Sequence, residues 1–342
     1  MGSTSNPLAH SSRYLVSDGG KDCEAQQLRD GRLLPIAAII APGTLIVATV
    51  PRTTILSQIV PQLDLRNKPD TFGLFVAIST TTVFFDATSD VIRLSLASAS
   101  SKSILQITPP QPNSSYSLDF RGPTLSCWPA ADSELESFRK QLDNFTAGDS
   151  AVNYFSWTPE GDHPNIDDPI PFDTADFRPY DDRESNNTSP TLFMWAGADN
   201  ATYLHTGTLI GCSLNSVTYT VDFHFEDTQQ TLDVKRGNDL TKYIVGGFNS
   251  SDPELDAKYN ATIPYQAIMS AFGRIMVGSI IVGFTSAAVA AAATTLSTLV
   301  QSTGLNSLLY SADNATLAHA VEEMFQNITF SLMSDPQFLI DS

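Results

Sequence analysis

Cationic residues are in short supply in this chain: 19 Lys plus Arg face 37 Asp plus Glu among 342 residues, a formal charge of −18. No Lys/Arg cluster interrupts that balance, so the surface field repels phosphate backbones and disfavours a nucleic-acid partner. Charged residues of both signs are sparse as well, 16% of the chain against roughly 25% in ordinary soluble domains. The five histidines, His10, His163, His205, His224 and His319, contain no pair at helical metal-ligand spacing. No His-Glu dipeptide occurs, which excludes a His-Glu-x-x-His metallohydrolase helix. Also missing are a Gly-x-Ser-x-Gly nucleophile turn and a phosphate-cradling glycine loop. Gly246-Gly247 reads as a turn. No catalytic residue, metal ligand or cofactor site is therefore assigned. Residues 1–32 lack the apolar core of a cleavable secretory signal and read as a flexible polar tail.

Asn-x-Ser/Thr triplets, by contrast, are plentiful. Nine asparagines head one: Asn113, Asn144, Asn186, Asn187, Asn200, Asn249, Asn260, Asn314 and Asn327, none with proline in the middle. With 16 Asn and 70 Ser plus Thr in the chain, random order yields about three such triplets. The excess points to a surface that meets the glycosylation machinery of the secretory pathway. Sugars would also supply the solubility that the low charge content does not.

Three cysteines are present, Cys23, Cys127 and Cys212, with no Cys-x-x-Cys among them. In an oxidising lumen one bridge forms and one thiol is left over. Cys127 and Cys212 are the expected pair, because both lie in strand-like runs inside the glycosylated stretch while Cys23 sits in the polar tail. A bridge over that loop adds roughly 4 kcal/mol in the chain-entropy account. The competing reading is three unpaired thiols.

Two stretches compete for a membrane role. Leu33–Pro51 carries no charge, is flanked by Arg32 and Arg52, and has just the length to cross a bilayer. Pro42-Gly43 in its middle is a turn signal, so a short apolar run, a turn and a strand over Thr44–Val50 is the favoured alternative. Ile275–Val300 lies in a charge-free interval between Arg274 and Asp313. Its content of Ala, Gly, Ser and Thr reads as one long helix packed closely against the rest of the protein, with spanning as the second option. Sequons on both sides of it, at Asn249 and Asn260 and at Asn314 and Asn327, bear on that choice, since one crossing puts one pair on the side without glycosylation.

Hydrophobic periodicity gives an α+β fold, an antiparallel β-rich body followed by C-terminal helices. Short runs over Leu45–Val50, Phe72–Ala77, Thr80–Phe85, Val91–Leu96 and Ile104–Thr108 read as strands. So do Ser117–Phe120 and Thr124–Cys127, on either side of Arg121-Gly122-Pro123. Ser133–Asn144 has helical spacing through Leu135, Phe138 and Leu142. From Val217 to Phe225 apolar and polar residues alternate strictly, and Thr231–Lys235 returns as the second arm of a hairpin. Thr262-Ile263-Pro264 opens a helix with proline in its first turn, and Ser311–Phe325 forms another. The expected organisation is a tail (1–32), a β-rich first part (33–158), an acidic Pro/Asp-rich loop (159–190), and a hairpin with C-terminal helices (191–342). The aromatics Tyr154, Phe155, Trp157, Phe193 and Trp195 are read as core rather than as a sugar-stacking surface.

Several fragments together resemble a group of fungal membrane proteins of unknown function. Leu33–Leu45 (Leu-Leu-Pro-Ile-Ala-Ala-Ile-Ile-Ala-Pro-Gly-Thr-Leu) is similar to the start of their ectodomain. Leu118–Cys127 (Leu-Asp-Phe-Arg-Gly-Pro-Thr-Leu-Ser-Cys), Cys212-Ser213-Leu214-Asn215, Pro264–Gly278 and Phe325–Ser334 match further segments. The resemblance covers about residues 32–334 and implies a large N-glycosylated ectodomain held at a membrane. Members carry membrane helices before and after that region. Residues 1–31 and 335–342 hold no such helix, so the resemblance implies anchoring by further flanking segments or by Leu33–Pro51. Some members bear a formylmethionine deformylase-like label, whose metal helix this sequence does not contain.

The functional expectation is an uncharacterised glycosylated ectodomain on an extracellular or lumenal face, with a binding or structural role. The alternative is a secreted carbohydrate-active enzyme using an Asp/Glu pair, its candidates drawn from the acidic loop.

Overall fold

The computed structural model describes residues 61–66, 68–78, 81–146, 150–158, 191–197, 207–227, 229–243, 260–283 and 314–340. The tail, Leu33–Pro51, Cys23, the acidic loop, and His10, His163 and His205 lie outside these residues. In chain order the elements are α1 (Pro69–Phe72), β1 (Gly73–Ile78), β2 (Thr81–Ala87), α2 (Ser89–Ser101), β3 (Ser115–Pro129), α3 (Asp132–Thr146), β4 (Ser150–Trp157), β5 (Thr191–Gly197), β6 (Gly207–Glu226), β7 (Gln229–Arg236), β8 (Thr241–Lys242), α4 (Ile263–Met276), β9 (Gly278–Gly283) and α5 (Asn314–Ser331). The fold is α+β. Seven antiparallel strands form one sheet in the order β3-β6-β5-β4-β9, with β7 and β8 also paired to β6, and β1–β2 forms a separate hairpin.

β6 is the spine. Along one edge it pairs with β3 from Ile210 to His224 without a register shift. Along the other it meets β5, then β8, then β7. The two arms of this ribbon bury opposite faces. On β6 the core residues are Ile210, Cys212 and Leu214, then Val217, Tyr219, Val221, Phe223 and Phe225; on β3 they pass from Cys127 and Leu125 to Phe120, Leu118 and Tyr116. Alternate residues of a strand point to opposite sides, so a change of parity in both strands at the same pairs means that the ribbon turns its other face inward there.

The changeover lies at Gly122-Pro123, opposite Val217 and Ser216. The turn signal at Arg121-Gly122-Pro123 thus marks a twist inside one continuous strand rather than a break between two. Pro123 is tolerated because Cys127, four residues on, donates its N–H to Glu322 Oε1 (2.8 Å) rather than to β6. By alternation the Pro123 nitrogen also faces away from β6, where the ladder needs no donor.

Three local expectations are corrected. Val91–Leu96 is not a strand but the first half of α2, whose buried residues Val91, Leu94, Ser95, Ser98 and Ala99 keep helical spacing. Three of these five are small Ser or Ala side chains, so counting large apolar residues alone missed the period. Ile104–Thr108 is not a strand either. Its backbone is met by a side chain: Gln230 Oε1 accepts from Ile107 N–H (2.8 Å), and Gln230 Nε2 donates to Leu105 O (2.9 Å) and Ile104 O (3.2 Å).

The third correction concerns Ile275–Val300, which does not begin as one long helix. α4 ends at Met276 and Gly278–Gly283 joins the sheet beside β4. The backbone leaves the helix at Val277, which is extended (φ −72°, ψ 130°); Gly278 follows with φ 152°, a conformation that favours glycine, and Ile280-Ile281-Val282 then prefers a strand. Residues 284–300 lie outside the described part. Among the described residues no helix is long and apolar enough to cross a membrane.

The helices close the core on one side. In α4, Pro264 sits in the first turn as expected, and nearly every residue is buried. Leu317, Val321, Phe325 and Ile328 give α5 an inward stripe at helical spacing. Phe330 then packs edge-on against Phe120 and Tyr219, with ring centroids 5.6 and 5.3 Å apart. Glu322 of α5 also takes a charged bond from Arg236 of β7 (3.3 Å), and Arg236 donates to Leu125 O (3.3 Å). One carboxylate thus ties a helix, an edge strand and a hairpin together.

A second cluster sits on the opposite sheet face under α3. Phe138 and Leu142 of α3 meet Val152, Phe155, Trp157, Phe193, Trp195 and Leu209. Strict alternation along β5 sends Phe193 and Trp195 to this face and Leu192, Met194 and Ala196 to the main core. Phe155, Trp157, Phe193 and Trp195 are core, as the sequence implied, and Tyr154 belongs to the main cluster.

The hairpin β1–β2 is fastened to α4 by a buried carboxylate. Asp86 accepts from Ser270 Oγ (2.6 Å) and Ala87 N–H (2.8 Å) and forms a two-pronged ion pair with Arg274. The Asp86 side chain is 5% exposed and that of Arg274 43%. Replacing the guanidinium leaves a buried negative charge with two neutral donors. Arg274→Met should therefore lower unfolding stability by about 2–3 kcal/mol, discounted from the fully buried case for the exposed partner. Urea titration measures this, and Asp86→Asn combined with Arg274→Met should recover part of the loss.

Candidate functional site

The features that carry chemistry are the cysteine pair, the sequons and the ionisable groups. Cys127 and Cys212 face each other across the β3–β6 ladder. Their Cα atoms are 4.0 Å apart and their sulfurs 2.10 Å, bonding distance. The geometry follows from the register: Cys127 turns its N–H outward, so the pair occupies a narrow, non-hydrogen-bonded site of the ladder, where side chains approach closely. Cys212 is fully buried. One pair further on, the Trp128 ring lies over Gly211, where an added Cβ would come within 2.8 Å of it.

Five of the nine sequon asparagines fall in the described residues. Asn113 is exposed in the turn before β3 with φ 56°. Its Oδ1 accepts from Asp227 N–H (2.9 Å), which orients the amide nitrogen that a glycan would occupy. Asn144 is exposed in the last turn of α3. Asn260 is exposed just ahead of α4, although its partner Thr262 is buried and holds Gln266 Nε2 (3.3 Å). Asn314 opens α5. Asn327 is half-buried within α5, and its partner Thr329 is fully buried with its hydroxyl donated to Phe325 O (3.0 Å). Asn186, Asn187, Asn200 and Asn249 lie outside the described residues.

The ionisable groups form structural bonds. Among the described residues no group of three or more His, Cys, Asp or Glu is placed to hold a metal ion. His224 stands on the wet face of β6, its Nδ1 3.0 Å from Ser115 Oγ, and His319 is exposed on α5. Among the described residues the buried carboxylates are Asp64 and Asp86. Asp86 is neutralised by Arg274, and Asp64 accepts from Arg66 N–H (3.2 Å).

The outer face of the ribbon is laced together by hydroxyl–carboxylate bonds. Ser117 donates to Asp222, Thr220 to Asp119 (2.6 Å) and Thr218 to Asp239 (2.7 Å). The hydroxyl of Ser117, then Lys235, holds the Asp222 carboxyl below its ordinary value of 3.8; the hydroxyl and backbone amide of Thr218 do the same for Asp239. Burial pushes the Tyr219 phenol up to about 12, so it stays neutral and donates to Pro123 O (3.0 Å). Sequence reasoning missed these cross-strand pairs, because only the register reveals which hydroxyl faces which carboxylate.

No family model, curated protein or solved structure matches the chain.

The placement ranks the sequons. In protein from a glycosylating host, peptide mapping should find Asn113 and Asn144 largely occupied and Asn327 largely bare, because a sugar there must leave a half-buried helix position. The acid limb of stability has a definite sign. Lowered carboxyls contribute stability that is fully present above pH 3.8 and is lost as pH falls through their folded values. Asp222→Asn with Asp239→Asn should flatten that limb in acid titrations followed by circular dichroism.

Proposed function

We propose that the chain is the N-glycosylated ectodomain of a membrane-associated protein, presented on an extracellular or lumenal face and acting by binding or structural display rather than by catalysis. The fungal membrane proteins that it resembles share that character. One observation carries the reading: sequon asparagines stand exposed at Asn113, Asn144 and Asn260 on the same body whose central ribbon holds two cysteines at bonding distance. N-linked glycans and a cross-strand bridge would both be products of an oxidising secretory lumen. The polar pairs on the ribbon's outer face support the same reading, since they serve one another and make a rigid wet surface. Such a surface suits display or contact with a polar partner. Nothing in it resembles a nucleophile beside a base.

The test is intact mass before and after enzymatic removal of N-glycans, with non-reducing peptide mapping of the same eukaryotic preparation. The expected result is several occupied sequons and one Cys127–Cys212 peptide. A preparation without N-linked sugar, and with both thiols free, would overturn the assignment.

A further inference from the structure

Asn260 stands in solvent, but the residue that makes it an acceptor does not. An Asn-x-Ser/Thr triplet is read through two groups: the amide nitrogen that takes the sugar, and the hydroxyl two residues on, without which the triplet is no acceptor. Thr262 is 7% exposed. Its Oγ1 accepts from Gln266 Nε2 (3.3 Å), and its carbonyl accepts from Tyr243 OH (2.7 Å) and Gln266 N–H (3.2 Å). Tyr243 stacks on Tyr265 with ring centroids 4.8 Å apart, and the Tyr265 hydroxyl lies 3.1 Å from Ser216 Oγ of β6. The contacts that seat α4 on the ribbon therefore also cover the hydroxyl of this triplet. Asn113 differs, because both it and its partner Ser115 are exposed. Asn327 differs in the other direction: the asparagine itself is half-buried, and Thr329 is fully buried with its hydroxyl donated inside α5.

We propose that these three triplets are open to the glycosylation machinery at different stages: Asn113 before and after the body folds, Asn260 only before α4 is seated, and Asn327 only in a chain whose α5 has not closed. In the transfer, the asparagine amide nitrogen bonds to the anomeric carbon of a lipid-diphosphate oligosaccharide. The bond from that carbon to the diphosphate oxygen breaks, the lipid diphosphate leaves, and one amide proton passes to a base of the transferase. Nothing in that step needs Thr262 once it is over. A sugar placed early on Asn260 is carried outward by an exposed side chain, and the fold then closes over Thr262 beneath it. A sugar on Asn327 has no such outlet, because its bearer and the next two residues, Ile328 and Thr329, belong to the inner side of α5. Occupancy of Asn260 is thus set by a race between transfer and folding, and sugar on Asn327 marks chains that lost α5. The cysteine pair enters the race, since it lies in the β3–β6 ladder against which Tyr265 is held. The inference rests on the secretory reading above and adds an order of events to it.

The experiment has two arms, both on the full chain and both read by peptide mapping. In the first, folded chain made without sugar is offered to solubilised oligosaccharyltransferase and a lipid-diphosphate oligosaccharide. Asn113 should be modified, Asn260 at least about tenfold more slowly, because its triplet is presented only in a locally opened state, and Asn327 not at all. Tyr243→Ala, which removes the ring over α4's entry, should restore transfer to Asn260 and leave Asn113 unchanged. In the second arm the chain is translated into microsomes with and without dithiothreitol. Holding the Cys127–Cys212 bridge open should raise the occupancy of Asn260 and leave that of Asn113 as it was. The proposal is overturned by transfer to Asn260 of the folded chain as fast as to Asn113, by refusal of Asn113 in that folded chain, or by an Asn260 occupancy that neither dithiothreitol nor Tyr243→Ala changes. Protein from the native host separates the two claims. No N-linked sugar there, with both arms behaving as stated, sinks only the compartment; abundant sugar there, with Asn260 accepted by the folded chain, sinks only the order of events.

Discussion

The long antiparallel pairing of β3 with β6 is the constraint on which the rest of the molecule depends. β6 is too long to be satisfied by one neighbour on each side, so β5, β8 and β7 share its second edge, and the sheet branches from it. The helices attach to the same ribbon. α5 reaches it through Glu322 and Phe330, and α3 reaches it through the aromatic cluster at the β4–β5 end. The cysteine pair lies inside it. Because β3 and β6 are joined by no tight turn, their pairing closes a long stretch of chain, and a covalent link at that point restricts the unfolded ensemble most where the native fold costs most entropy.

That arrangement gives the proposed role a physical basis. The ribbon's inner surfaces are consumed by two apolar clusters on opposite faces. What remains outside is a lattice of hydroxyls and carboxylates that satisfy one another, with acceptor asparagines at the margins. Among the described residues there is no gathering of metal-ligating groups. The pattern is broken at the open end of β1–β2, where Leu74 and Phe85 are exposed.

Much of the fold was legible wherever a strong period met a clean boundary. The alternation from Val217 to Phe225, the proline-led start of α4, and the pairing of Cys127 with Cys212 all rest on local signals that the tertiary structure does not oppose. The failures have particular causes. In α2 three of the five buried residues are serine or alanine, so its helical period is faint in hydrophobicity. At Ile104–Thr108 a β-branched run found a glutamine side chain rather than a strand as its partner. At Val277-Gly278 an extended residue followed by a positive-φ glycine divides an apparently continuous apolar helix into a helix and a strand. The candidate site was legible as a list of asparagines, but their ranking was not. The burial of Thr329 and the exposure of Asn144 depend on which helix face meets the core, and residue order alone did not fix that for the C-terminal helix.

The change of inward face at Gly122-Pro123 has an evolutionary corollary. A ladder that buries one parity throughout can slide by two residues and still keep its oily side inside. This one cannot, because the swap points of the two strands must coincide. Any slip leaves a stretch in which one strand has already rolled over and its partner has not. Insertions and deletions should accordingly be purged from both strands and collect in the connections, and misaligned pairings that could seed intermolecular aggregates are disfavoured by the ribbon's own shape.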